Sequence, residues 1–373
     1  MSKINLKSLS KDEMKEFVKV HGLPEYRAKQ ILHWIYEKKV ESIEDITELS
    51  KGLRKKISDV AYISNLKLLN KQSSNDGTEK FLFGLEDGES IESVLIPDEG
   101  RLTLCISSQV GCAMKCGFCL TGEIGLKRNL KAHEIVDQII AVIKVRSEKL
   151  EVKSDRATDI TNIVLMGMGE PLLNFEEVIE ALHRITEFIG FSKRKITLST
   201  CGIAPKIVEL YKVAPHVNPV RNFGGTLNPV TARRGNFSNG VNLAISLNAT
   251  TDDVRNKIMT INKKYPIKVL LDACRKILLS PRQRITFEYV MLDGINDMPE
   301  DAKRLVKLLR GIPSKVNLIP FNPYEGSRFK RPSDEKVLNF QKILVNGNIS
   351  AFIRKSKGQD ILAACGQLKA KYK

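Results

Sequence analysis

An α/β fold is predicted for this chain, on two observations. Six short apolar runs, at 102–106, 163–166, 196–199, 243–247, 285–291 and 316–319, are separated by amphipathic stretches of helical period. Upstream of them the texture differs: residues 1–60 show helical periodicity alone, and 61–99 show strand alternation broken by turn signals. Six β-then-α units build a parallel sheet covered by helices, either an open doubly wound sheet or a partial barrel. In both architectures ligands gather at the C-terminal ends of the strands.

The first 60 residues read as a small basic helical domain. Ser10 is placed to cap a helix that begins at Lys11, and Gly22-Leu23-Pro24 breaks it. Tyr26, Ile31, Leu32, Trp34 and Ile35 then recur on one helical face, interleaved with Arg27, Lys29 and Lys38. These apolar and aromatic residues are read as core rather than as RNA-stacking groups. Residues 61–99 form a β-rich connecting segment, with strands at 80–85 and 90–96 and turns at Asn75-Asp76-Gly77 and Asp87-Gly88. On a regular strand Glu92 shares a face with Val94 and Ile96, an unusual setting for a solvated carboxylate. The core domain is expected over 100–373. Within it Asn174 is read as a helix cap, with Glu177 three residues on as its partner. Residues 215–240 hold five asparagines, four glycines and three arginines, with no acid and no apolar period, and read as an inserted surface loop.

The chain has 373 residues, of which 42% are hydrophobic, an ordinary value for a globular protein. No run approaches the ~20 apolar residues of a spanning helix, and the N-terminus lacks a secretory apolar run. No membrane partner and a cytoplasmic location are therefore expected. Lys and Arg number 60 against 43 Asp and Glu, a formal +17. That surplus favours polyanionic partners such as nucleic acid, though it does not by itself distinguish them from a merely basic surface. The seven cysteines, at 105, 112, 116, 119, 201, 274 and 365, are odd in number, which argues against a disulfide framework.

Three cysteines lie within eight residues, as Cys112-x-x-x-Cys116-x-x-Cys119, just after a strand-like run and the turn Gln109-Val110-Gly111. Closely spaced thiolates are the usual ligands of iron–sulfur clusters. Three of them hold three corners of a cubane and leave one iron open to a substrate. A zinc site would want a fourth ligand, and no Cys or His stands at finger spacing. Gly167-Met168-Gly169-Glu170-Pro171 follows the next strand, where a glycine-rich end permits close backbone approach and the acid supplies a countercharge.

These motifs resemble those of radical S-adenosylmethionine (SAM) enzymes. The resemblance narrows on further segments: Cys105 to Cys112, Gly167 to Asn174, Leu198-Ser199-Thr200, Asn317 to Pro323 and Ala363 to Leu368 are similar to the RlmN family of bacterial adenine-C2 RNA methyltransferases. It spans essentially the whole chain apart from 215–240.

The resemblance implies a partial (β/α)6 barrel. It implies a [4Fe–4S] cluster on Cys112, Cys116 and Cys119, with SAM at the open iron. Contacts to SAM would come from Gly169, Glu170, Ser199, Ser246, Leu247, Asn248 and Asn322. Asn248 stands where the family commonly has His, and cannot titrate near neutral pH. Adenine C2 is not a nucleophile, and the family's route uses two SAM molecules and two cysteines. Cys365 would accept a methyl group from the first SAM. The second would yield a 5′-deoxyadenosyl radical that takes hydrogen from the S-methyl group, and the methylene radical would add to C2. Cys105 would attack the sulfur of Cys365 and release the product, while Glu92 takes up the substrate proton. Cys201 and Cys274 match no such position and are read as core.

The implied substrates are 23S rRNA in the peptidyl-transferase region and tRNA at position 37, 3′ of the anticodon, each presenting an unstacked adenine. An electron donor such as flavodoxin and a monomeric state are expected with them. Three alternatives use the same residues differently. A Cfr-type adenine-C8 methyltransferase would share the cysteines and cofactors. A glycyl-radical activase would have no use for Cys105 and Cys365. An RNA-binding protein with a structural cluster would cleave no SAM.

Overall fold

A computed structural model describes residues 3–150, 160–211, 220–221, 227–228 and 240–369. Three helices lead the chain: α1 (Lys11–Val20), α2 (Tyr26–Tyr36) and α3 (Lys51–Val60). Ser10 begins α1 with a capping box: its Oγ accepts from the Glu13 N–H at 3.2 Å, and Glu13 Oε2 accepts from the Ser10 N–H at 2.8 Å. Gly22, at φ 73°, turns the chain out of that helix. α2 buries Ala28, Ile31, Leu32, Ile35 and Tyr36. Tyr26 leaves the expected apolar face: it stands exposed at the first turn, with the Arg27 guanidinium 4.9 Å from its ring centroid.

Ten strands then form one sheet. In chain order they are β1 (Lys67–Ser73), β2 (Glu79–Gly84), β3 (Ser90–Asp98), β4 (Arg101–Cys105), β5 (Asn162–Leu165), β6 (Ile196–Thr200), β7 (Asn242–Ser246), β8 (Ile285–Met291), β9 (Ser314–Pro320) and β10 (Ser350–Ile353). The first four pair antiparallel and the rest, from β4 onward, pair parallel. Their order across the sheet is their order along the chain. A doubly wound sheet must reverse its strand order at a switch point; this one never does, so the partial barrel is the architecture present.

Right-handed crossovers put the longer connecting helices on one side of such a sheet. These are α4 (Ala132–Leu150), α5 (Phe175–Glu187), α6 (Ala204–Tyr211), α7 (Asp252–Ile258), α8 (Ile267–Arg275), α9 (Pro299–Leu308) and α10 (Asp334–Asn346). Strand alternation matches them. On β8 Ile285, Phe287, Tyr289 and Met291 are fully buried in the main core, and alternation leaves Thr286 and Glu288 for the inner face. A second, smaller apolar cluster of Val94, Cys105, Met168, Ala363 and Leu368 marks that inner face.

The N-terminal helices are bolted to the barrel by buried charges. Arg184 on α5 is 3% exposed and donates to Lys7 O (2.6 Å), Leu9 O (3.1 Å), Tyr36 Oη (3.0 Å) and Glu180 Oε1 (2.7 Å). Lys7 Nζ pairs with Asp137 of α4 at 2.8 Å, both side chains almost wholly buried.

Two expectations need correction. Asn174 does precede α5, but its side chain makes no cap; its Nδ2 donates instead to Ser108 O and Leu130 O. Glu177 accepts from the Ala132 N–H at 2.7 Å, serving the start of α4 rather than its own helix. Tertiary bonds to the neighbouring loop have outcompeted the local box. The expected insertion at 215–240 falls largely outside the described residues; within it Val220–Arg221 pairs antiparallel with Leu227–Asn228. No described helix is long and apolar enough to cross a membrane.

Candidate active site

The three clustered cysteines sit on a loop whose base is a small hairpin. Gln109–Gly111 pairs antiparallel with Leu126–Asn129, closing the chain around Cys112, Cys116 and Cys119. Gly111 is required there: its φ is 76°, and a Cβ on it would stand 1.8 Å from Gly125 O. The loop is fixed by its backbone. Cys112 N–H donates to Gly125 O, Cys119 N–H to Cys116 O, and Gly117 N–H to Ile258 O at the end of α7. Thr260 Oγ1 adds a bond to Met114 O.

Burial raises all three thiol pKa values, and for Cys116 the charges of Cys119 and Cys112 push further in the same direction. The charges of these thiols are thus felt among themselves along one short loop. Among the described residues, however, no three His, Cys, Asp or Glu side chains are close enough to hold a single ion. In a cubane each thiolate binds its own iron, so the three need not meet at one ion. The donor set fits a [4Fe–4S] cluster with one open corner.

Beside the loop lie the C-terminal ends of the central strands. A Cβ on Gly167 would meet Ile106 O and Ser107 Oγ at 2.7 Å, and Gly169 adopts φ 102° against Gln109. Glu170 is 3% exposed. Its carboxylate accepts from Cys201 N–H at 2.6 Å and Leu172 N–H at 3.0 Å. Burial raises its pKa, opposed by those bonds and Thr200, and its charge bears on Cys112 and Cys116. Ser199 and Ser246 are half-buried on the inner face of β6 and β7, and Leu247 is fully buried. Asn322, just past β9, accepts from Gln359 Nε2 at 2.9 Å.

Asn248 is held in the left-handed region at φ 57°, a conformation Asn tolerates better than most side chains. Its Oδ1 accepts from Val290 N–H at 2.8 Å, and its Nδ2 meets Met259 Sδ at 3.3 Å. The side chain is 1% exposed and committed to the protein on both ends. Its backbone is bonded as well: the C=O accepts from Asn296 Nδ2 at 2.7 Å and the N–H donates to Glu288 O at 3.4 Å.

Glu92, Cys105 and Cys365 come together although they are remote in sequence. Residues 363–369 run along the inner face, stitched to the cysteine loop by Leu120 N–H to Gly366 O (2.7 Å) and Thr121 Oγ1 to Leu368 O (2.7 Å). The segment ends with Lys369 N–H donating to Glu92 Oε2 at 2.8 Å. Lys80 Nζ stands 3.4 Å from the other Glu92 oxygen. Burial raises the Glu92 pKa, with Lys80 and the Lys369 amide acting against it. Cys105 is buried on β4, its thiol pushed up to about 12. Cys365 is exposed to the lumen, yet the surrounding walls raise its thiol to about 12, and the charges of Cys119, Glu288 and Cys105 all bear on it. Cys201 and Cys274 are buried, as expected of core thiols.

Sequence reasoning passed over Glu288. It lies on the inner face of β8, opposite Ser246 and Asn317 of the flanking strands, and accepts from Asn317 Nδ2 at 2.9 Å. The signal was present: an acid inside an apolar strand, the argument applied to Glu92. Burial lifts its pKa from 4.5 to about 7. Protonation thus stabilises the native state, a contribution full below pH 4.5 and lost as pH rises through about 7. Relative to Glu288→Gln, wild-type protein should lose up to ~3 kcal/mol of stability to urea across that window. Parallel pH–stability curves for the two proteins would refute the assignment.

The partial barrel and its three-thiol loop are those of the radical SAM class: residues 106–224 match the radical SAM superfamily, and residues 4–63 match the ribosomal RNA large subunit methyltransferase N-terminal domain. A radical SAM methyltransferase from Sphaerobacter thermophilus superposes with a TM-score of 0.84 at 38% identity, covering 99% of this chain and 100% of that one. Several relatives carry the name dual-specificity RNA methyltransferase RlmN. That of Pelobacter propionicus is 47% identical, covering 99% of this chain and 96% of its own. That of Syntrophobacter fumaroxidans is 45% identical, covering both chains completely. The chain belongs to the RlmN family.

Proposed function

We infer that this protein methylates C2 of adenosine in 23S rRNA and at position 37 of tRNA, consuming two SAM molecules for each methyl group. The observation that carries the reading is the convergence of the cysteine loop, Cys105, Cys365 and Glu92 on one inner face. A structural cluster would not need two further thiols beside it. When bound, the cluster and SAM supply on reduction a carbon radical able to take hydrogen from an unactivated methyl group.

Cys112, Cys116 and Cys119 would hold the cluster. The Gly169 backbone and Glu170 would meet the SAM ammonium, with Ser199, Ser246, Leu247, Asn248 and Asn322 lining the rest of its site. Cys365, the one exposed cysteine, would carry the methyl group and present it to C2. Cys105 would bond to its sulfur and free the product, and Glu92, with its raised pKa, would take the substrate proton. The +17 charge suits a polyanionic substrate. A monomer acting in the cytoplasm, reduced by a flavodoxin-like donor, completes the reading.

The test is anaerobic reconstitution with SAM, a reductant and an rRNA fragment, and mass spectrometry of nucleosides against 2-methyl- and 8-methyladenosine standards. Wild type is expected to form 2-methyladenosine and Cys365→Ala none. 8-Methyladenosine would move the enzyme to the Cfr type. No methylated base despite an intact cluster and SAM cleavage would overturn the reading.

A further inference from the structure

Arg255, on α7, is 0% exposed, the largest fully buried side chain among the described residues. Its guanidinium donates to Leu247 O (2.9 Å), Ser246 O (3.1 Å), Cys201 O (2.8 Å), Asn262 Oδ1 (2.9 Å) and Tyr265 O (3.4 Å). Every acceptor is a neutral oxygen. Among the described residues no carboxylate lies within ion-pair distance of it. Asp252, whose charge it senses, is exposed and bonds to Asn262 Nδ2 and Ile267 N–H instead. A buried cation without an anionic partner is strongly disfavoured, and burial accordingly pulls the Arg255 pKa down.

The missing countercharge lies on the cysteine side. Ile258, three residues along the same helix, accepts from Gly117 N–H, next to Cys116. The charges that bear on Arg255 are, in order, those of Cys201, Cys116 and Asp252. With three thiolates an oxidised cubane is a net anion, and one added electron makes it a dianion. Net charge and nearby dipoles are among the main determinants of an iron–sulfur potential.

We propose that Arg255 is the buried countercharge of the iron–sulfur cluster, fixed on α7 so that one cation both favours cluster reduction and ties down the ends of β6 and β7. This rests on the cluster reading above. It makes Arg255 a positioning and tuning residue rather than a catalytic one.

The test compares reconstituted wild type, Arg255→Gln and Arg255→Lys. Iron and sulfide content is measured first, then the midpoint potential by a redox titration followed by electron paramagnetic resonance. Arg255→Gln is expected to lower the equilibrium constant for one-electron reduction at least tenfold, ~59 mV for a one-electron couple. Arg255→Lys keeps the charge but cannot span the five oxygens, and should keep the wild-type potential. Equal potentials in Gln and wild-type proteins would overturn the proposal. So would a Lys protein whose potential falls as far as that of Gln, since bonding rather than charge would then be at work. If Gln loads no cluster, Lys decides against wild type alone: an unchanged potential supports the proposal, and a fall of ~59 mV or more overturns it. Absence of a reducible cluster from wild type would instead defeat the cofactor reading itself.

Discussion

Cys116→Ala is expected to give a folded protein that retains no [4Fe–4S] cluster and forms no methylated adenosine. The loop does not depend on the Cys116 sulfur for its shape. The hairpin at its base, the bonds from Cys112 N–H to Gly125 O and from Gly117 N–H to Ile258 O, and Thr260 on Met114 O all remain. What is lost is one of the three thiols proposed to hold iron. The fall in product should exceed the ~10–100-fold typical of removing a group that merely orients a ligand. Far-ultraviolet circular dichroism, iron and sulfide analysis and the nucleoside assay read the three parts separately. Near-normal iron in this variant would mean that another thiol had taken the place of Cys116. Cys201 is the candidate, since the charge of Cys116 bears on it.

Arg184→Met is expected to destabilise the protein by ~3–5 kcal/mol, the range for removing one partner of a buried charged network. Methionine keeps much of the stem and loses the fork. Lys7 O, Leu9 O and Tyr36 Oη then lose their donor, and Glu180 loses its countercharge. These groups lie on both sides of the junction between the N-terminal helices and the barrel, so the loss loosens the junction as well as α5. Urea unfolding at neutral pH measures it. A change below ~1 kcal/mol would show that water replaces the guanidinium and that packing alone holds the junction. Tyr36→Phe combined with Arg184→Met should add less than its own effect, because the two share a hydrogen bond.

The six core strands were legible because burial on both sides leaves short apolar runs with sharp edges, and 285–291 coincides with β8. Their lateral order was not, because apolar runs do not record their neighbours; only the unreversed sheet order separates a partial barrel from a doubly wound sheet. The cysteine loop could be found because ligand spacing is a local property. Glu92 was visible as an acid among apolar neighbours, and Glu288 carried the same sign. Arg255 carried none: an arginine on a short amphipathic helix reads as a solvated face, and only the carbonyls at the ends of β6 and β7 reveal its burial. Asn248 shows the opposite limit. Its identity drew attention as a substitution in a ligand position, whereas its side chain serves Val290 and Met259.

The stitching of residues 358–369 onto the first strands bears on the order in which the molecule assembles. Neighbouring strands of the barrel are neighbours in sequence, so each can be added to the one before it at small loop-closure entropy. The contacts that bring in Cys365 are different in kind. Gly358 N–H reaches Asp76 across 282 residues, and Lys369 N–H reaches Glu92 across 277. They can form only on a sheet whose β1–β3 edge already exists. A partly folded chain therefore offers the three cluster thiols without the fourth, exposed one in place. Closing the site around Cys365 thus costs more loop-closure entropy than adding any one neighbouring strand.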